Sequence, residues 1–400
     1  MKTNSSAGIG QGGVMFADVE GPSFIFWPVG CGDSTTIVIS ESEVLQLDLN
    51  DKVMAEDDDN EHIPLVDELV EKLPQRDGKP YLSCFVLTHP DQDHCRGFAD
   101  LLKRVVIGEI WHSPHIFREY EDEKVLCDDA EAFRKEAHRR SAKTIKIGGD
   151  PGAGNRVRVI GYSSLFEPGE KYHNLPEQFH TRPGSAITTL DGAEVSDRFH
   201  AFIHGPFKEG EADARNETSV TMRVIIGSQD HPMYGLFLGD VSYPTLMQTF
   251  QQTHYHDNDA MLNWNVLLAP HHCSKKVMYE DDVLQQDVMD ELQAPQLDIG
   301  YIVASSPEFP ASNSSGDNPP HIKARNRYEE IVNTAFLCTG EYSTSENLRP
   351  IIFTVNENGV FLDDDDYAVS DSARETLAAA VAAARGRAAP PTAKVGFGRE

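Results

Sequence analysis

Residues 88–97 read THPDQDHCRG and follow directly on the apolar run Cys84-Phe-Val-Leu87. Within six positions this stretch carries His89, Asp91, Asp93 and His94, side chains that bind divalent cations as neutral imidazole or ionised carboxylate. A buried strand that ends in such a group holds its donors at one place, so they can converge on a shared ion. The chemistry this predicts is metal-assisted hydrolysis, in which two ions about 3.5–4 Å apart stabilise the attacking and the leaving oxygen.

Upstream, FIFWPVGCGDSTTIVISESEVLQLDLND (24–51) reads as two or three strands, with a glycine turn at Gly30 to Gly32 and an acidic close at Asp48 to Asp51. IPLVDELVEKL places Ile63, Leu65, Val66, Leu69 and Val70 at helical spacing, and Tyr81 to Leu87 then forms a buried strand. Strand, helix, strand, with candidate ligands at a carboxyl end, is an α/β layout in which sites sit at strand ends. Downstream, residues 113–215 read as a loop-rich insertion that covers the site, with an exposed helix in DDAEAFRKEAHRR and a short strand from Arg156 to Gly161. Regular strands resume at 219–226 and 233–240, joined by a turn at Gly227 to Pro232. The first of these is SVTMRVII and the second, MYGLFLGD, closes on Asp240. Leu267 to Pro270 runs into His271 and His272, Leu297 to Ala304 is another buried strand, and 351–355 with 359–362 form a closing hairpin. Candidate ligands therefore recur at three strand ends.

Composition narrows the function classes. A net charge of −29 over 400 residues disfavours a broad electrostatic grip on nucleic acid, which requires a lysine and arginine surface, although a local basic groove is compatible with it. The acidic runs Glu56 to Asp59 and Asp363 to Asp366 lack spaced ligands or a companion histidine and read as solvated loops. Six scattered cysteines without CxxC pairs argue against a zinc ribbon or a disulfide framework and predict reduced thiols. The start of the chain does not resemble a secretory signal and no apolar run is long enough to span a bilayer, which predicts a cytoplasmic protein with no membrane partner. The expected organisation is a flexible N-terminus (1–20), one hydrolase domain (21–369) containing the insertion, and an alanine-rich tail (370–400), helical in part.

THPDQDHCRG resembles the HxHxDH signature of the metallo-β-lactamase superfamily with Asp91 in place of the second histidine. That HxDxDH form is similar to the C-terminal domain of the competence protein ComEC and to related stand-alone hydrolases. Further elements follow in order: PVGCGDST (28–35) resembles VGQGDS, RNETSVTMRV (215–224) an NxxS-plus-strand element, LFLGD the GD motif and PHHCS (270–274) GHHGS. SGDNPPHIKARNRYEEI resembles the late asparagine and histidine-proline element, with His321 as its histidine. The resemblance implies a four-layer αββα sandwich with two divalent ions, Zn2+ or Mn2+ and possible with Mg2+, held between two similar halves. It implies that His89 and Asp91 face one ion, that Asp93, His94 and His271 face the other, and that Asp240 bridges them. Asp33 and Asp48 belong beneath the ions as orienting groups, His272, Asn216, Ser219 and Lys275 near them or near substrate. Two departures stand out. The usual third-motif histidine has no counterpart, His200 and His204 lying shortly before that element, and cysteine replaces a small or polar residue at Cys31, Cys95 and Cys273. Those cysteines read as packing residues, with thiolate ligation of zinc or a redox brake as alternatives. The carboxylate at Asp91 makes the first site harder, which favours manganese or magnesium there.

For mechanism, Asp93 is the candidate to position and deprotonate the attacking water, and His321 to protonate the leaving oxygen or bind phosphate. The resemblance favours a phosphodiesterase or nuclease acting on a nucleotide or nucleic acid. Arg96, Arg215, Lys275, Lys276, Arg325 and Arg327 are candidate phosphate contacts. Two alternatives remain: a hydrolase of a small non-phosphate substrate such as a lactone, thioester or β-lactam, and a non-catalytic module that binds a protein partner through 113–215 or the tail.

Overall fold

Successive side chains of the strand Lys79–Val86 and the residue after it point into two different cores. Phe85 and Leu87 pack with Leu65, Val66 and Leu69 of the helix Leu65–Lys72, with Phe98 and Leu101 of Phe98–Arg104, and with Ala130, Phe133 and Ala137 of Asp128–Ile147. Cys84 and Val86 point the other way, into a core that also holds Ala201, Met222, Val224, Phe237, Val266 and Leu268 from a second sheet. This is the alternation expected of a strand buried on both faces. A third core sets Leu236, Leu267 and Ile302 of the second sheet against the helices Tyr243–Tyr255, Gln286–Gln293 and Ile322–Ile331. Three cores separate four layers, so the architecture is the αββα sandwich that the motif resemblance implies. Phe237 meets Phe24 edge-on at 5.6 Å between ring centres and stacks with Phe26 at 6.3 Å, joining the sheets. Each fully buried large apolar side chain there contributes about 1.5–3 kcal/mol.

The structure is a computed structural model that describes residue 16 and residues 21–54, 62–115, 126–207, 215–312, 318–343 and 348–363. The run Glu56 to Asp59 and the alanine-rich tail lie outside the described residues. In the first sheet, the hairpin Ile351–Asn356 and Gly359–Asp363 joins Ser23–Phe26. The order continues through Thr35–Ser40, Glu43–Leu47, Lys79–Val86, Val106–His112, Arg156–Ile160 and His180–Thr181. In the second sheet the order is Ser185–Ile187, Phe199–Gly205, Thr221–Gly227, Pro232–Phe237, Trp264–Leu268, Gln296–Ala304 and Ala335–Cys338. Each sheet has a run of parallel neighbours, and Asp48, Thr88 to His94, Asp240 and the His271-His272 pair all follow carboxyl ends of those strands.

Residues 113–215 differ from the expected loop-rich cover. The expected strand is present as Arg156–Ile160 and the expected helix as Asp128–Ile147, but the helix packs Ala130, Phe133 and Ala137 into the core of the first half, and unexpected strands add His180–Thr181 to that half and Ser185–Ile187 with Phe199–Gly205 to the second. Glycines and prolines break the stretch into short pieces, which hides its strands in the sequence, yet Phe199, Ala201 and Ile203 alternate into the inter-sheet core. Among the described residues no helix is long and apolar enough to cross a membrane.

Candidate metal centre

The first half of the site is organised around Asp48, which follows its strand in a left-handed conformation at φ 55° and is 1% exposed. Thr88 donates its backbone N–H to Oδ1 of Asp48 at 2.8 Å and its hydroxyl to Oδ2 at 2.5 Å. Nδ1 of His94 donates to the same Oδ2 at 2.8 Å. A carboxylate can only accept, so Asp48 puts the proton of neutral His94 on Nδ1 and turns a bare Nε2 toward the opposite sheet. The segment Asp91 to Cys95 makes this possible by folding back on itself: Asp91 is extended, the turn Gln92–Cys95 is helical, and the Asp91 carbonyl accepts His94 N–H at 3.0 Å. Gly32, at φ 139°, lets the Cys31 to Asp33 loop lie against this turn. A Cβ there would stand 2.5 Å from the Asp93 carbonyl oxygen, which accepts the Asp33 N–H at 3.2 Å.

The second half is built on strained backbone. Gly239 is left-handed and would clash with Ser219 if it carried a Cβ, at 2.9 Å. Its carbonyl accepts the His271 N–H at 3.1 Å. His271, His272 and Cys273 all have φ between 52° and 63°. Three consecutive non-glycine residues in that region cost on the order of 1–3 kcal/mol each, and such strain concentrates at functional sites. Here it aims both imidazoles at Asp240.

Four histidines surround the Asp240 carboxylate. Oδ2 lies 3.3 Å from Nε2 of His272, 3.8 Å from Nε2 of His89 and 3.9 Å from Nε2 of His271, while Oδ1 lies 3.5 Å from Nε2 of His94. Asp33, His94, Asp240 and His272, all buried, bring one donor atom each within 4.8 Å of one another, and Cys31, Asp93 and His272 form a second such group. The donor chemistry fits a divalent cation. Nε2 of His94 and Nε2 of His272 face each other at 3.2 Å although each ring has a carboxylate at its Nδ1, Asp48 at 2.8 Å and Asp33 at 3.2 Å. With the His94 proton held on Nδ1 by Asp48, its bare Nε2 at that separation can take either a proton from His272 or a cation shared with it. Asp33 Oδ1, Asp240 Oδ1, His89 Nε2 and His272 Nδ1 are buried without a hydrogen-bond partner, the Asp33 approach to His272 being close but off the hydrogen-bond direction. Buried polar atoms are seldom left so.

The electrostatics agree. Burial works against a charged ring at His94, but Asp240 and Asp48 outweigh it and hold its pKa well above the ordinary imidazole value. His272 is raised in the same way, with Asp240 and Asp33 outweighing burial. Burial, reinforced by the neighbouring His94, drives His89 well below that value, and burial also lowers His271. Burial alone would raise Asp240, yet His272 and His94 pull it well below the usual carboxylate range.

The other expected residues fall in several places. His272 occupies the buried four-residue cluster, whereas His271 approaches Asp240 from the rim at 17% side-chain exposure. Asp33, expected to orient ligands, reaches ligand distance itself. Asp93 lies 3.6 Å from His272 with 36% of its side chain exposed, the most open carboxylate at the site. Asp91 heads the helical turn and belongs to neither donor group. Asn216 accepts the Ser219 N–H at 3.0 Å through its carbonyl, and Val220 N–H binds the Thr88 carbonyl at 3.1 Å, so this element links Thr88 to the Gly239 turn. His204 faces away, paired with Thr253 Oγ1 at 3.0 Å and the Met261 carbonyl at 3.1 Å, and does not replace the missing third-motif histidine. His321 is buried, and its Nδ1 accepts the Lys275 N–H at 3.2 Å. Arg325 is committed to Glu329 and Glu341, and Arg327 to Glu330. Thr88 was not singled out in the sequence; its position directly before His89 was the available signal.

No protein-family model matches the chain, and no curated protein does. Among solved structures it is similar to the metallo-beta-lactamase fold protein YhfI from Bacillus subtilis, at 12% identity and a TM-score of 0.37, covering 79% of this chain and 96% of that one. It is also similar to a protein of unknown function from Enterococcus faecalis V583, at 8% identity and a TM-score of 0.28, covering 79% and 76%. Neither likeness carries weight at those scores. The four layers and the donors at carboxyl strand ends of both sheets make the fold metallo-β-lactamase-like on this chain's own geometry.

Proposed function

We propose that this protein is a metal-dependent phosphodiesterase acting on a nucleotide or nucleic acid, with one or two divalent cations, zinc or manganese and secondarily magnesium. The observation that carries metal dependence is the buried convergence of donor atoms from His94, His272, Asp33 and Asp240, several of them without a hydrogen-bond partner, with His89 and His271 on the same carboxylate. Asp93 stands at the open side of this group. When bound, the cations supply Lewis acidity at the scissile centre and make an attacking water easier to deprotonate. The remaining work falls to the chain. Asp93, exposed where the rest are buried, receives the proton of the attacking water at a carboxylate oxygen. His321 accepts a backbone N–H at Nδ1, so its neutral ring carries the proton on Nε2, the form that can protonate a leaving oxygen. Lys275 and Lys276, directly after the histidine pair, offer positive charge to a phosphate. The motif resemblance supports the phosphodiester choice, and the net charge of −29 favours a nucleotide or short strand over long duplex DNA.

The test is to incubate the purified chain with bis(p-nitrophenyl) phosphate, mononucleotide diesters, RNA and linear and circular DNA, in manganese, zinc or magnesium, beside Asp93→Ala. Cleavage that needs the metal and vanishes in the variant is expected. Opening of a lactone or thioester with every phosphodiester left intact would replace the substrate class, and equal turnover in the variant would remove Asp93 from the reaction.

A further inference from the structure

Cys95 and Cys127 are far apart in sequence, yet their sulfurs stand 3.6 Å apart. Among the described residues no other pair of cysteines comes together in this way. Cys95 ends the turn Gln92–Cys95 and is fully buried, and its one thiol proton has two acceptors in reach, the Asp91 carbonyl at 3.2 Å and the Cys127 sulfur at 3.6 Å. Cys127 is half-buried and caps the helix Asp128–Ile147, where the Ala130 N–H donates to its sulfur at 3.5 Å. The two segments are clamped to each other: the Asp129 carboxylate accepts Gly97 N–H at 3.0 Å and Ala99 N–H at 2.8 Å. The sulfurs are therefore held near each other by bonds that do not involve them. Where the Cys95 thiol donates to Cys127 it outweighs burial and lowers the Cys127 pKa to about 7, favouring the nucleophilic thiolate.

We propose that Cys95 and Cys127 are an oxidation site, converted to a disulfide by a hydroperoxide, and that the disulfide draws the turn bearing Asp93 and His94 out of the metal cluster. The Cys127 thiolate attacks the peroxide, the O–O bond breaks, and Cys127 becomes a sulfenic acid with release of water or alcohol. The Cys95 thiol then displaces hydroxide from that sulfur, and its own proton leaves with it as water. In sum two thiols are oxidised by two electrons and one peroxide is reduced. A disulfide measures about 2.0 Å, so the sulfurs must close from 3.6 Å. Cys95 then gives up the Asp91 carbonyl, in the same turn whose Asp91–His94 backbone bond positions the His94 ring. The effect on metal binding rests on the function proposed above; disulfide formation does not.

The experiment treats the reduced, metal-free full chain with hydrogen peroxide, then maps peptides without reduction. Loss of two thiols and a Cys95–Cys127 crosslink lacking two hydrogens are expected. Cys95→Ser should stop at a sulfenic acid on Cys127 that dimedone traps, and Cys127→Ser should form no crosslink. A crosslink between other cysteines, or a sulfenic acid on Cys127 that never crosslinks in the wild type, overturns the site. Manganese should bind roughly tenfold more weakly to the oxidised protein, with recovery after a phosphine reductant. An unchanged affinity with the crosslink in place overturns the displacement. Reduced protein that binds no manganese counts against the proposed function instead, and leaves the crosslink to be judged by the peptide map.

Discussion

Replacing Asp48 with asparagine keeps the side chain's size and inverts one proton. Three donors converge on this carboxylate: Thr88 N–H on Oδ1, and the Thr88 hydroxyl and His94 Nδ1–H on Oδ2. An amide has one accepting atom and one donating group, so it cannot serve all three. If its oxygen stays on the Thr88 N–H, its NH2 faces His94, which can accept only by moving its own proton to Nε2. That places a hydrogen on the nitrogen lying 3.5 Å from Asp240 and 3.2 Å from Nε2 of His272, where a cation needs a lone pair. If the amide turns over, its NH2 confronts the Thr88 N–H and the strand end must shift. Partners of this kind are worth about 10–100-fold in metal affinity, or roughly 1.4–2.7 kcal/mol. Chelator competition with manganese and zinc at pH 8 reads the dissociation constant, and circular dichroism with the metal-free melting temperature checks the fold. A correctly folded variant whose affinity stays within about twofold of wild type would refute the role of Asp48 and, with it, Nε2 of His94 as a ligand.

His272→Ala should lower the bound-metal stoichiometry more than His271→Ala, because His272 alone of the pair occupies the buried cluster; elemental analysis of the two purified variants decides, and the reverse order would restore the assignment based on motifs. Asp93→Ala should abolish turnover while moving stability by no more than about 0.5 kcal/mol, since its side chain is 36% exposed; a large loss in urea melts would make it a structural residue. The raised pKa values of His94 and His272 set a pH dependence. Protonation stabilises the metal-free fold fully below about pH 6.5, the unfolded value, and that contribution is lost as pH rises through the folded values. Metal binding needs the same nitrogens bare, so affinity should climb with pH across that window, and an affinity flat or falling there would contradict the ligand set. At a metal concentration about 100 times the dissociation constant the folded state gains about 2.7 kcal/mol, seen as a higher melting temperature that chelator removes; an unchanged melting temperature would argue against the site.

What the amino-acid order determined alone was whatever depends on neighbours in the chain. The buried run into His89, the helical spacing from Ile63 to Val70, the turn at Gly227 to Pro232 and the closing hairpin are local patterns, and the strands they imply form with Thr88, Asp240 and His271 just beyond their ends. Periodicity is enough there, because burial on one or two faces is written in successive side chains. Within 113–215 it found the helix from Asp128 and the strand from Arg156 but missed short strands such as Ser185–Ile187, which have too few residues to show a period and are stabilised by pairing with Phe199–Gly205. Through-space contacts were the other limit. That His272 enters the cluster ahead of His271 follows from left-handed backbone at three successive residues, a conformation their side-chain types do not announce. Asp33 reaches His272 across the two sheets, Thr88 captures Asp48, and Cys95 meets Cys127, each joining segments remote in the chain. Those distances are decided by how two sheets and their helices pack, so only the tertiary structure could reveal them.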